Sequence, residues 1–278
     1  MKKGYSALSW ILFVVALVIA LFFAAPFVYM LLMSLMKDSN AIMQYPPKLY
    51  SGAFYWSNYV EAWKAIDFGK KALNTLFLTL AQMAIGITCS LLIAYGFSRF
   101  RSKWSNPLFM VLLSTMMIPW VVTMIPAYAE YEKLNWIGTY LPLIIPWIGG
   151  SAFNVFMIRQ FMEGVPKELD EAAEIDGCNS LQILFHVILP EMKPILATLA
   201  VFSFINGWSD YLGPSIYLQT SSDLWNLSLG MEQFFSSTGG ANWAYVMAAS
   251  VMFSIPMVLV IAVSQKAFVR GIATTGIK

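Results

Sequence analysis

From Trp10 to Met33 the chain runs for about two dozen residues without a charged side chain. As a helix rising 1.5 Å per residue, such a run spans roughly 36 Å, more than the roughly 30 Å hydrocarbon core of a bilayer. Backbone polar groups in lipid need partners within the protein, so a single exposed run of this kind folds as a helix. Five more apolar runs follow, and the expected spans are about 10–33, 72–97, 108–128, 140–161, 195–217 and 244–268. Lys2 and Lys3 give the chain the charged start of a signal peptide. The apolar core behind them is too long for one, and no small-x-small cleavage site follows a short core, so the first run reads as a retained span. The expected fold is all-α integral membrane with six transmembrane helices, residues 1–278 forming one membrane domain.

Composition agrees with that reading. Hydrophobic residues make up 59% of the chain and charged residues 12%, against about 45–50% and about 25% in soluble domains. A net charge of +2 gives no reason to invoke nucleic acid. The placement of the cations is more informative. Six spans put Lys2, Lys3, Arg99, Arg101, Lys103, Arg159, Lys167, Lys193, Lys266, Arg270 and Lys278 on one face. The opposite face holds Lys37, Lys48, Lys64, Lys70, Lys71 and Lys133, most of them in the long connection 37–71. The positive-inside rule therefore predicts that both termini and the stretch 163–194 are cytoplasmic. Cys89 lies in an apolar run and Cys178 in a charged one, which argues against a disulfide; the single histidine, His186, has no metal-ligand companions.

Ionisable groups are scarce within the spans. A carrier coupled to an ion gradient needs them despite their cost in lipid, and Asp210 is the only acidic residue expected at membrane depth. A pump that hydrolysed ATP itself would need a phosphate loop, GxxxxGK followed by Ser or Thr. The sequence contains none; Gly69-Lys70-Lys71 lacks the leading glycine. GxSxG and HExxH, the signatures of a membrane hydrolase or metalloprotease, are missing too. Active transport by this chain therefore requires energy from another subunit. Prolines 119 and 126 in the third run, and 142 and 146 in the fourth, predict helices bent for packing or for lining a pore.

The one long charged interval between spans is PKELDEAAEIDGCNSLQILFHVILPEMKP, Pro166 to Pro194. Pro166 suits a helix start, and Glu168, Asp170 and Glu171 complement the positive end of its dipole. Gly177 after Asp176 predicts an elbow. A second helix follows, capped by Asn179 or Ser180, with Leu181, Leu184, Phe185 and Ile188 on one apolar face. Pro190 and Pro194 are expected to close it before the fifth span begins.

Glu171-Ala172-Ala173, three residues, Gly177, nine residues, then Val187-x-Leu189-Pro190 resembles the EAA loop of membrane subunits in binding-protein-dependent ABC importers. Val187 replaces the usual Ile. IRQFMEGVPKELDEAAEIDG, Asn74-Thr75-Leu76, the Pro119 to Pro126 spacing, WSDYLGP and the RGIATTGIK tail extend the likeness to sugar importers of the maltose type, with Ser209 where Asn is usual and His186 where a basic residue is common. The resemblance implies a type I ABC importer permease fold in a bacterial or archaeal plasma membrane. It implies a second related permease, two ATPase subunits and an extracytoplasmic sugar-binding protein as partners. ATP and Mg would reside on the ATPase subunits, this chain holding no cofactor and catalysing nothing. The ATPase-coupling residues would be Glu168, Glu171, Ala172, Ala173, Asp176, Gly177, Leu181, Phe185, Leu189 and Pro190.

Asn206, Trp208, Asp210 and Tyr211 in the fifth run suit a sugar pathway, because aromatic faces stack on CH groups while polar atoms meet hydroxyls. Trp208 and Tyr211 suit an interfacial belt equally well. The cargo implied is a sugar, with an oligosaccharide favoured. The same architecture carrying amino acids or phosphate is the competing expectation.

Overall fold

The computed structural model describes residues 7–37, 52–100, 102–236 and 242–275. Among the described residues every regular element is helical. In chain order they are α1 (Ala7–Ser34), α2 (Ser57–Ala65), α3 (Phe68–Arg99), α4 (Ser105–Thr115), α5 (Trp120–Lys133), α6 (Leu141–Ile144) and α7 (Ala152–Glu163). There follow α8 (Glu168–Ile175), α9 (Ser180–Gln182), a π-helical turn at Ile183–Ile188, α10 (Leu189–Trp208), α11 (Leu212–Tyr217), α12 (Leu227–Gly230), α13 (Gln233–Ser236) and α14 (Trp243–Thr275).

Among the described residues five helical stretches are long and apolar enough to cross a membrane: Leu8–Ser34, Phe68–Arg99, Leu141–Glu163, Ser180–Trp208 and Trp243–Gln265. A sixth crossing exists only if α4 and α5 are counted together, and these meet at 93°. The single bent span expected over 108–128 is therefore broken. Pro119 is the cause: its backbone is extended (φ −59°, ψ 134°), and it precedes α5 as a residue without a donor. Pro142 and Pro146 disrupt less, since Pro142 sits in the first turn of α6 and Pro146 in the first turn of a 3-10 helix at Ile145–Gly149, where a missing N–H leaves nothing unpaired.

The fifth span also departs from expectation. Its helix reaches back beyond the expected crossing, starting at Ser180, and ends at Trp208, short of 217. Pro190 and Pro194 do not close a separate helix. The π turn ahead of them lets the Leu189 N–H reach back to the Leu184 carbonyl, and Pro190 then falls in the first turn of α10, where its missing donor is tolerated.

Contacts divide the chain into two units. The first comprises Met1–Gly69 and Gly230–Ile255. There Asn58 Nδ2 donates to the carbonyls of Ser34 (2.8 Å) and Met36 (2.9 Å), satisfying the open end of α1. The outer face of α1 is otherwise a continuous band of exposed apolar side chains suited to lipid.

The second unit, Lys70–Leu229 with Pro256–Lys278, contains the charged loop. Its core joins Leu91 and Ala94 of α3, Val155 and Ile158 of α7, Ala173 of α8, Leu184 and Ile188 of the π turn, and Leu199 of α10. Lipid offers apolar side chains the same surroundings as a core, so close fit decides such packing. Gly207 shows this: a Cβ there would lie 3.1 Å from Thr79 of α3. Nearer the start of α3, Asn74 Nδ2 donates to the carbonyls of Asp223 and Trp225, and Thr75 Oγ1 accepts from Leu227 N at 2.7 Å. These bonds tie the start of the second span to the loop after α11.

Candidate functional site

The elbow after α8 is built entirely from local chemistry. Glu168, Asp170 and Glu171 occupy the first turn of α8. At its other end Gly177 adopts φ +84°, its N–H bonds to Glu174 O (3.0 Å), and Cys178 N–H bonds to Ala173 O (2.9 Å). This pair of bonds is a Schellman stop. The next helix starts two residues later with a capping box, in which Asn179 Oδ1 accepts from Gln182 N (3.0 Å) and Gln182 Oε1 accepts from Asn179 N (2.8 Å). Asn179, not Ser180, is the cap. A Cβ on Gly177 would touch nothing within 4 Å, so glycine is required there for its backbone angle alone.

The loop is clamped to α3 by Arg99. Its Nε lies 2.6 Å from Asp170 Oδ2, and its Nη2 donates to Val165 O at 3.1 Å. Both side chains are largely buried, Arg99 at 6% exposure and Asp170 at 15%. Burial pushes the Asp170 carboxyl above its ordinary value; Arg99 pulls it down, and Glu174 adds to the rise.

The residues assigned to coupling by resemblance form two groups. Ala173 is buried in the core, and Leu189 is partly buried against it. Glu168, Glu171, Ala172, Asp176, Gly177, Leu181, Phe185 and Pro190 are exposed. Leu181 and Phe185 do not share a buried face with Leu184 and Ile188 as the 3.6-residue spacing predicts. The wider π turn rotates the stripe, so Ile183, Leu184 and Ile188 face the core while Leu181 and Phe185 face out. Ile175 is 87% exposed, and Leu169 is exposed as well. Apolar side chains and carboxylates are thus exposed together around the elbow.

A cavity of about 1290 Å³ opens among α3, α5, α6, α7, α10 and α11. Asn206 and Asp210 line it. Asp210 Oδ1 accepts from Gly213 N at 3.2 Å, and its backbone carbonyl accepts from Asn226 Nδ2, so the residue also fixes the turn into α11. Trp208 is buried and stacks on Phe204 at 5.7 Å, a packing position away from the wall, and Tyr211 is exposed outside the lining. Two further lining residues escaped sequence reasoning. Gln82 of α3 donates to Leu143 O at 3.0 Å, and Asn154 of α7 is buried within the wall. The available signal was an uncharged amide inside an apolar run, where lipid contact is unfavourable. No cluster of three metal-ligating side chains exists among the described residues.

Known proteins with the same features are consistent with one another. The family described as binding-protein-dependent transport system inner membrane component matches residues 86–274. The sn-glycerol-3-phosphate transport system permease protein UgpE of Pectobacterium atrosepticum is 32% identical over 98% of this chain and 97% of its own. The arabinooligosaccharides transport system permease protein AraQ of Halalkalibacterium halodurans is 32% identical over 74% of this chain and 72% of its own. A bacterial ABC transporter that imports the acidic polysaccharide alginate contains a chain of the same fold, with a TM-score of 0.80 at 24% identity over 95% of this chain and 99% of that one. The chain is therefore a multi-pass bacterial membrane protein with the type I ABC importer permease fold, and it belongs to the family of binding-protein-dependent transport system inner membrane components.

Proposed function

We propose that this chain is one of two permease subunits in an ATP-driven sugar importer, and that the elbow after α8 docks on a separate ATPase subunit. The observation that carries the coupling role is the exposed apolar set of Ile175 at the end of α8 and Leu181 and Phe185 at the start of the helix that continues into a span, with Glu168 and Glu171 exposed on α8. Such a surface suits a cleft with apolar walls and basic or donor groups at its rim. A small side chain at Ala172 permits close approach. The elbow is assigned to the cytoplasm on the distribution of Lys and Arg, and an extracytoplasmic binding protein would deliver the cargo to the opposite face. The sugar cargo is supported by relatives that include an arabinooligosaccharide permease.

Copurification tests the coupling role. The tagged chain, expressed with its companion permease and ATPase, should retain the ATPase in mild detergent, and Ala172→Arg should release it while leaving the two permeases together. Retention of the ATPase and full uptake in that variant would overturn the docking assignment.

A further inference from the structure

The lining of the cavity carries information about cargo that the relatives' names do not, since those relatives include a permease for an anion and one for an oligosaccharide. Among the described residues lining it there is no Lys, Arg or His, and the single charged group is a carboxylate, Asp210. A phosphate or carboxylate cargo passing this wall would lack the cationic donors that recognise such groups and would meet a like charge instead.

Neutral polar groups are plentiful by contrast. Asn154 is 6% exposed and lines the cavity. An amide in a cavity wall offers a ligand or water both a donor and an acceptor. Gln82 spends its Nε2 on the Leu143 carbonyl, which fixes the amide in place and leaves its oxygen as an acceptor in the same wall. Trp147 supplies an aromatic surface. Gly86 lies so close beneath the indole that a Cβ would come within 2.8 Å of ring atom Cε3. The ring is thereby seated against α3 while lining the cavity.

We propose that this subunit forms a binding wall for a neutral, polyhydroxylated segment of the cargo. In it Asn154 and Gln82 exchange hydrogen bonds with hydroxyls, and Trp147 stacks on the sugar's CH face. The proposal rests on the importer reading above and narrows its cargo to uncharged saccharides at this wall.

The complete importer, with its own companion permease, ATPase and binding protein, should be reconstituted in liposomes and offered three labelled probes. Arabinotriose is neutral; sn-glycerol 3-phosphate and an alginate trisaccharide are anionic. ATP-dependent uptake of arabinotriose in preference to both anions is expected. Asn154→Leu and Gln82→Leu should raise its KM about three- to tenfold, the loss of one neutral hydrogen bond each, with a smaller effect on kcat. Preference for either anion would overturn the neutral wall while leaving the importer standing. An unaltered KM in both variants, each inserted at wild-type level, would likewise remove the assignment of these amides. Absence of ATP-dependent uptake of all three probes would overturn the importer reading and this proposal together.

Discussion

Arg99 Nε stands 2.6 Å from Asp170 Oδ2, joining the last residue of α3 to the first turn of α8 across a gap of seventy-one positions in the chain. Removing one partner from a buried pair strands the other charge, at a cost of about 3–5 kcal/mol. Arg99→Met should therefore lower the melting temperature in detergent sharply. Asp170→Asn should cost less, because burial already disfavours the carboxylate and Arg99 keeps its bond to the Val165 carbonyl. The sign with pH follows. A carboxyl whose value is raised on folding favours the folded state fully below its unfolded value, and that contribution is lost as pH rises through the raised one. Arg99→Met should thus regain stability on mild acidification, which melting curves at two pH values would reveal; equal loss at both would contradict this account.

Gly177 separates backbone strain from steric exclusion. Any side chain there must adopt a left-handed conformation, at roughly 1–2 kcal/mol, yet it meets no neighbour. Gly177→Ala should insert normally and retain much of its transport. Gly177→Asp adds a charge to the docking surface and should abolish uptake while leaving membrane levels intact. Uptake assays beside immunoblots distinguish the two, and normal uptake in Gly177→Asp would refute coupling through the elbow.

Asn179 both starts the helix of the fifth span and closes the elbow. Asn179→Ala should destabilise by about 1 kcal/mol, and Asn179→Ser should recover most of the loss. Hydrogen exchange at the Gln182 amide is the direct readout, and unchanged protection would show that the cap contributes nothing.

Gly86→Ala should displace the Trp147 indole, since a methyl cannot share that space with the ring. Overpacking of this kind costs about 1–3 kcal/mol. Fluorescence of Trp147, isolated by replacing the other tryptophans, should shift in the variant, whereas a ring that stays in place would leave it unaltered.

Lys70 and Asp223 make an exposed pair. The Lys70 hydrogen bond and charge hold the Asp223 carboxyl below its ordinary value, so whatever it contributes to stability is present above about pH 4 and lost as acid protonates it. Exposed pairs contribute little. Asp223→Asn should leave the melting temperature at neutral pH unaltered, and a clear drop would show that the pair anchors the loop.

The elbow was legible because its determinants are short-range: a glycine after an acidic helix, then Asn and Gln three residues apart. The apolar runs were legible from length alone, although Pro119 converted one expected span into two helices. What escaped was set by tertiary packing. Pro190 reads as a stop until the π turn at Ile183–Ile188 supplies a different donor for the Leu184 carbonyl, and the same turn sends Leu181 and Phe185 outward against a 3.6-residue reading. Asn206 and Asp210, singled out by their polarity near aromatics, line the cavity. Trp208 was included for the same reason and is instead a packing residue. Asn154 and Gln82 carry no motif beyond an amide in an apolar run, and their shared wall emerges only when α3, α6 and α7 enclose the space between them.

The unbroken run from Ser180 to Trp208 makes the exposed loop end and the cavity wall two ends of one rod of 29 residues. At the usual helical rise the rod is roughly 43 Å long, so a swing of about 5° at the elbow moves the Asn206 end by about 4 Å. A hinge at Pro190 would have absorbed such a motion near its source. The sequence keeps the prolines but places them where they leave the rod whole, so on the proposed docking at the elbow a force applied there would arrive at the far end as displacement with little lost along the way.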